Sequence, residues 1–193
     1  MTMVMPWQDS LTLGAMIEVR EVLAFWREAG PAKWFKGGAT FDALCRERLL
    51  APHLAASRRK LDSWMGTAEG ALALLLLLDQ IPRNVFRGSA HAFATDLLAL
   101  HFAEQAVDAG FDQAIDAPMR AFFYLPFEHA EDMAAQERSV RLFEAMGSAE
   151  HTRFAHGHRE AIAKFGRFPH RNAVLGRVNT PAEQAWLDAG GGW

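Results

Sequence analysis

Cysteine occurs once, as Cys45, so no internal disulfide framework can staple the chain, and a reducing compartment is expected. Charge of one sign is not in excess either: 20 Lys and Arg stand against 23 Asp and Glu, a formal net charge of −3. A surface-wide attraction for nucleic acid or for a membrane is therefore not expected. No Lys or Arg precedes Arg20, so the positive stretch that opens a secretory signal is missing. The most apolar run, Ala71-Leu72-Ala73-Leu74-Leu75-Leu76-Leu77-Leu78, lies between Glu69 and Asp79. It falls well short of the roughly 20 residues that span a bilayer and reads as a fully buried central helix. Together these absences predict a cytoplasmic protein.

Runs of β-branched residues are almost absent, which leaves little strand signal. Instead the composition is globular, 50% hydrophobic and 22% charged, and helix starts and stops are frequent. The pattern predicts helices over 16–28, with Val19, Val22, Leu23 and Trp26 at core spacing, and over 40–56. The buried helix starts at Thr67, a candidate N-cap, and reaches Gln80. Ser89 can cap a fourth helix that ends before Gly110, and a short one over 117–124 stops at Pro126. Others cover 128–146 and 148–165, closed by Gly147 and Gly166. Thr180-Pro181-Ala182-Glu183 is a capping box opening a last short helix. No linker or composition break divides the chain. One all-α domain over 1–193 is expected, with 1–15 as a lead-in and 188–193 as a frayed tail. The arrangement predicted is an antiparallel array of about eight helices.

The groups that carry chemistry sit at helix ends. Asp79-Gln80-Ile81-Pro82-Arg83-Asn84-Val85-Phe86-Arg87 and Gly166-Arg167-Phe168-Pro169-His170-Arg171-Asn172 echo each other as apolar–Pro–(His)–Arg–Asn. Proline fixes φ and biases the preceding residue away from the helix, so a sharp turn is expected at Pro82 and at Pro169. Asp79, Arg83, Asn84 and Arg87 in the first segment, and Arg167, His170, Arg171 and Asn172 in the second, offer donor forks and amides at fixed points. They can hold an anion, or they can pair with acids and tie off helix carbonyls.

Between the echoes lies Phe122-Phe123-Tyr124-Leu125-Pro126-Phe127-Glu128-His129-Ala130-Glu131-Asp132. Glu128 and Asp132, four apart on a helix, share a face, and acids in a first turn favour the helix dipole. The same carboxylates beside Tyr124, His129 and Glu131 could instead bind ligand or work as acid and base. No His-Glu-x-x-His or Glu-x-x-His spacing occurs, so no metal site is expected, and nothing names a cofactor. His158 shares a stripe with Phe154, Ile162 and Phe165 and is read as facing inward, either as a satisfied core histidine or as a proton carrier. Trp26, Trp34, Phe35, Trp64 and Trp186 read as packing rather than a ligand cage.

Several of these stretches, in order, carry a family resemblance: Val22-Leu23-Ala24-Phe25-Trp26, Leu77-Leu78-Asp79-Gln80-Ile81-Pro82-Arg83-Asn84, Tyr124-Leu125-Pro126-Phe127-Glu128-His129-Ala130-Glu131, Gln136-Glu137-Arg138-Ser139 and Phe165-Gly166-Arg167-Phe168-Pro169-His170-Arg171-Asn172. The chain resembles the family called domain of unknown function 924 over nearly its whole length. The resemblance implies a bacterial protein with a tetratricopeptide-like α–α array, and it brings no established activity. Composition alone shows no tetratricopeptide consensus, so any repeat character must be geometric.

Two functions stay open on this reading. One is a small-molecule protein that holds a phosphate or carboxylate between the Pro–Arg–Asn segments, with His158 or His170 carrying a proton and Glu128 orienting it or serving as base. The other is a helical-repeat module that binds a peptide or protein, its charged clusters being ion-pair networks.

Overall fold

The computed structural model describes residues 17–192, so the lead-in expected over 1–15 lies outside the described residues. Among them every regular element is helical. The order is α1 (Val19–Ala29), α2 (Pro31–Trp34), α3 (Gly38–Ser57), α4 (Ala68–Leu75), α5 (Ile81–Val85), α6 (Asp96–Asp108), α7 (Ala117–Glu128), α8 (Met133–Met146), α9 (Ala149–Phe165) and α10 (Pro181–Asp188). Short connections make successive helices antiparallel neighbours, and α6, α7, α8 and α9 pack each on the next. No helix among the described residues is long and apolar enough to cross a membrane.

Helix α4 is the axis of the core. A helix that is hydrophobic all round must be surrounded, and α1, α3, α6 and α7 surround this one and its continuation. Every residue from Ala71 to Leu78 is fully buried. Its start is set by Thr67, whose hydroxyl accepts from the Gly70 N–H at 3.0 Å. Gly70 must be glycine because an added Cβ would lie 2.1 Å from the Trp64 carbonyl oxygen.

The sequence predicts a stop with a sharp turn at Pro82, but the helix continues past it. It widens into one π-helical turn over Leu76–Gln80 and resumes as α5 with Pro82 in its first turn. The Ile81 N–H bonds to Leu76 O, one residue further back than in an α-helix, which leaves the Leu77 carbonyl without its intrahelical donor. Pro82 has no N–H, so the Leu78 carbonyl loses its donor as well. Buried carbonyls need partners, and neighbouring helices supply them. His53 of α3 reaches Leu77 O at 2.8 Å, and the Thr95 hydroxyl donates to Leu78 O at 2.5 Å. Proline is tolerated because the wide turn and two side chains absorb it.

Two further expectations are corrected. Helix α7 runs through Pro126 to Glu128, because Phe122, Phe123, Leu125 and Phe127 are all buried and packing outweighs one lost backbone bond. Helix α8 therefore starts at Met133, capped by Asp132, which accepts from the Ala135 N–H at 2.8 Å. Glu128 and Asp132 thus lie on different elements and share no helix face. At the end of α10 the Gly191 N–H bonds to Trp186 O at 2.9 Å.

Thr95→Val keeps the shape and strands the Leu78 carbonyl. It should cost about 1–3 kcal/mol in urea unfolding, with far-UV circular dichroism of the native state unchanged.

Candidate functional site

The wide turn presents Asp79 inside an apolar helix, where a carboxylate survives only with partners. It has three. Gln80 Nε2 donates to Oδ2 at 2.6 Å, an Arg83 terminal nitrogen donates to Oδ1 at 3.1 Å, and His129 Nδ1 lies 2.8 Å from Oδ1. Burial alone would push this carboxyl up, since Asp79 is 1% exposed. The donors from His129, Arg83 and Gln80 hold it well below the usual carboxylate range. His129 moves down too, because burial and the Arg83 charge outweigh the pull of Asp79. The pair is thus a carboxylate and a neutral imidazole. With the Nδ1 proton given to Asp79, Nε2 is left as the acceptor, the arrangement by which an aspartate orients a histidine as a general base.

Arg83 extends the network outward. The same terminal nitrogen that meets Asp79 also donates to Asp96 Oδ1 at 3.0 Å, and Arg171 donates to Asp96 Oδ2 at 3.1 Å. Phe93 lies under both guanidiniums, 5.4 Å from that of Arg83 and 4.5 Å from that of Arg171. The Phe168 ring also lies against Arg171, at 4.6 Å. Burial, then Arg83, brings Arg171 down to about 10, which leaves it cationic at neutral pH. Burial raises the Asp96 carboxyl against the pull of Arg83 and Arg171. The buried Nε atoms of Arg83 and Arg171 have no hydrogen-bond partner.

Around this chain of charges stand three groups kept neutral by burial. Glu128 is pushed up to about 8 by burial and by Asp79, and its buried Oε2 has no partner. His158 falls to about 3 and His170 to about 4, burial being the main cause in each. Asp79 and Asp96 then balance Arg83 and Arg171. Gln136 supports the arrangement from α8, its amide donating to the carbonyls of Glu128 and Ala130, each at 2.7 Å. That ties the chain on both sides of His129.

Other residues singled out in the sequence go elsewhere. Arg87 pairs with Asp42 on α3, Arg167 pairs with Glu183 on α10, and Tyr124 donates to Asp112 at 2.6 Å. Asn84 donates to Gln80 O, and Asn172 donates to Asn179. Glu131 accepts from Arg177 and from the Phe168 N–H at 2.8 Å, which anchors the loop that carries Arg171. His158 Nδ1 donates to Phe154 O at 2.9 Å, with Glu128 Oε1 3.4 Å from the same nitrogen. Asp79 hydrogen-bonds a different histidine, His129. Asp96 and Phe93 carry no sequence signal, because an aspartate in a helix's first turn is ordinary. In the sequence Gln136 stands out only as part of the Gln136-Glu137-Arg138-Ser139 stretch. Among the described residues no cluster of His, Cys, Asp and Glu is placed to hold a metal ion.

A family model, Bacterial protein of unknown function (DUF924), matches residues 22–191, and the chain belongs to this family. A solved structure titled as a protein of unknown function from Agrobacterium tumefaciens is 48% identical, with a TM-score of 0.86, over 89% of this chain and 97% of that one. A comparison with curated proteins found no match.

The titrating groups set a pH profile. The histidines lowered in the fold, His129, His158 and His170, with His53 and His151, bind protons more readily when unfolded. Their contribution is complete above the unfolded value of about 6.5 and is lost as pH falls below it. Glu128, raised to about 8, acts in the opposite sense, and stability drains as pH climbs from the unfolded value of about 4.3. Thermal stability should therefore peak at about pH 6.5, fall steeply on the acid side and gently towards pH 8. Glu128→Gln should flatten the alkaline side and, because the Glu128 contribution drains from about pH 4.3 upwards, steepen the rise on the acid side above that pH.

Proposed function

We propose that this member of the family is a cytoplasmic small-molecule protein that holds an anionic ligand against Arg83 and Arg171 and moves a proton through His129. The observation that carries the reading is convergence. Residues from α5, the loop after α9 and the end of α7 meet on two aspartates, and each arginine keeps an Nε without a partner. Unsatisfied donors in a desolvated site are what an anion needs. Beside them, His129 is neutral and is oriented through Nδ1 by Asp79, as acid–base catalysis requires. Among the described residues no serine or cysteine hydrogen-bonds to His129, so the proton would come from water or from the ligand itself. A free, buried Cys45 fits the reducing compartment.

A second reading, the tetratricopeptide-like interaction module, has its own support. The ion pairs balance in charge, and an open groove of about 560 Å³ lined by Ile17, Val19, Leu23 and Trp64 lies on another part of the surface. On that reading a peptide would dock in the groove and Arg171 would be irrelevant to binding.

A thermal-shift screen of small anions separates the two. A ligand present at 100 times its dissociation constant stabilises by about 2.7 kcal/mol, a shift of several degrees. That shift should disappear in Arg171→Lys and in Arg83→Lys, each read against its own unliganded midpoint. A panel without shifts, or shifts that survive both substitutions, would overturn the anion site.

A further inference from the structure

The arginine pair already holds a carboxylate, and it belongs to the chain itself. Asp96 bridges the guanidiniums with one oxygen on each, 3.0 Å from Arg83 and 3.1 Å from Arg171. It takes no donor from its own helix in doing so, although it is the first residue of α6. Neither arginine grips it as a bidentate fork, and both Nε atoms stay unpartnered. Arg171, 5% exposed, packs against both Phe93 and Phe168, and its donors lie at the edge of its plane. The seat is therefore a slot between two guanidinium edges, walled by rings.

We propose that Asp96 occupies the ligand seat as a built-in carboxylate, and that the natural ligand is a small molecule bearing a carboxylate that displaces it. The inference rests on the reading that Arg83 and Arg171 hold an anion, and it adds the ligand's class. Charge selects that class. In the present state Asp79 and Asp96 balance Arg83 and Arg171; replacing Asp96 by one external carboxylate keeps the balance in a desolvated place. A phosphate dianion would add an uncompensated charge there, which burial penalises. Shape fits it as well, since the guanidinium donors lie in planes and the Phe93 and Phe168 rings pack beside them. Asp96 is the first residue of α6 and its side chain is only partly buried, 13% exposed, so its displacement need not open the core.

The full-length protein is titrated with sodium acetate and, separately, with inorganic phosphate at constant ionic strength, by calorimetry and by amide chemical shifts. Removing the internal competitor should tighten acetate binding at least tenfold in Asp96→Ala, with no comparable gain for phosphate. Adding Arg171→Lys should abolish that gain. Asp96→Asn keeps the volume, removes the charge and should show the same direction, so the test stands if the alanine variant folds poorly. Wild-type acetate binding that depends on Arg171 but is not tightened in either Asp96 variant would overturn the inference and leave the anion reading in place. An equal gain for phosphate would overturn the carboxylate class. No binding of either anion by wild type or variants would overturn both.

Discussion

The structure depends on placing one carboxylate, that of Asp79, in the middle of its most apolar helix. Burying it without partners would cost several kcal/mol, so three donors must arrive from outside its own turn or from its flanks. Gln80 is adjacent, Arg83 is one turn on, and His129 comes from the end of α7. The π-helical turn makes this possible. It lets the helix pass Pro82, and the turn and the proline together strand the Leu77 and Leu78 carbonyls, which recruit His53 and Thr95. Helices α3 and α7 and the segment leading into α6 are thereby pinned to the same few residues. The fold's centre and the candidate site are built from one local distortion.

Such a network is a poor way to gain stability. Replacing a buried ion pair by apolar groups is often neutral or favourable, whereas removing one partner is costly. The chain already has a large apolar core from α4 and from the aromatic residues of α7. A core of that size does not need Asp79, Arg83, Asp96 and Arg171 for cohesion. It tolerates them, with His129, His158, Glu128 and His170 held neutral around them. Groups whose proton affinities are pushed apart by burial and by neighbours are the working parts of acid–base sites, and the separation between Asp79 and Glu128 is of that kind.

The helices were readable in the sequence because their signals are local. Thr67, Gly110, Gly147, Gly166 and the Thr180–Glu183 box act within a turn of where they stand. Pro82 and Pro126 misled, since a proline's effect depends on whether tertiary partners take over the freed carbonyl or packing outweighs its loss. The echo of Pro–Arg–Asn segments pointed to Arg83 and Arg171, which do meet, although not directly: they meet on Asp96. That residue was illegible because its partners are 13 and 75 positions away. The His129–Asp79 hydrogen bond is illegible for the same reason, because the two residues are 50 positions apart and no spacing rule connects them.

The unmatched Nε atoms bear on how the network is to be understood. A clamp whose purpose is to fix helices would be expected to saturate its arginines, since every buried donor left over costs about 1–3 kcal/mol. Arg83 and Arg171 instead share one carboxylate and each leave a donor idle, while the aromatic faces of Phe93 and Phe168 hold the planes in register. Rigid cations with spare donors beside a neutral imidazole set by Asp79 are what a preorganised anion site would use. The α4 core can carry the cost of that arrangement in stability.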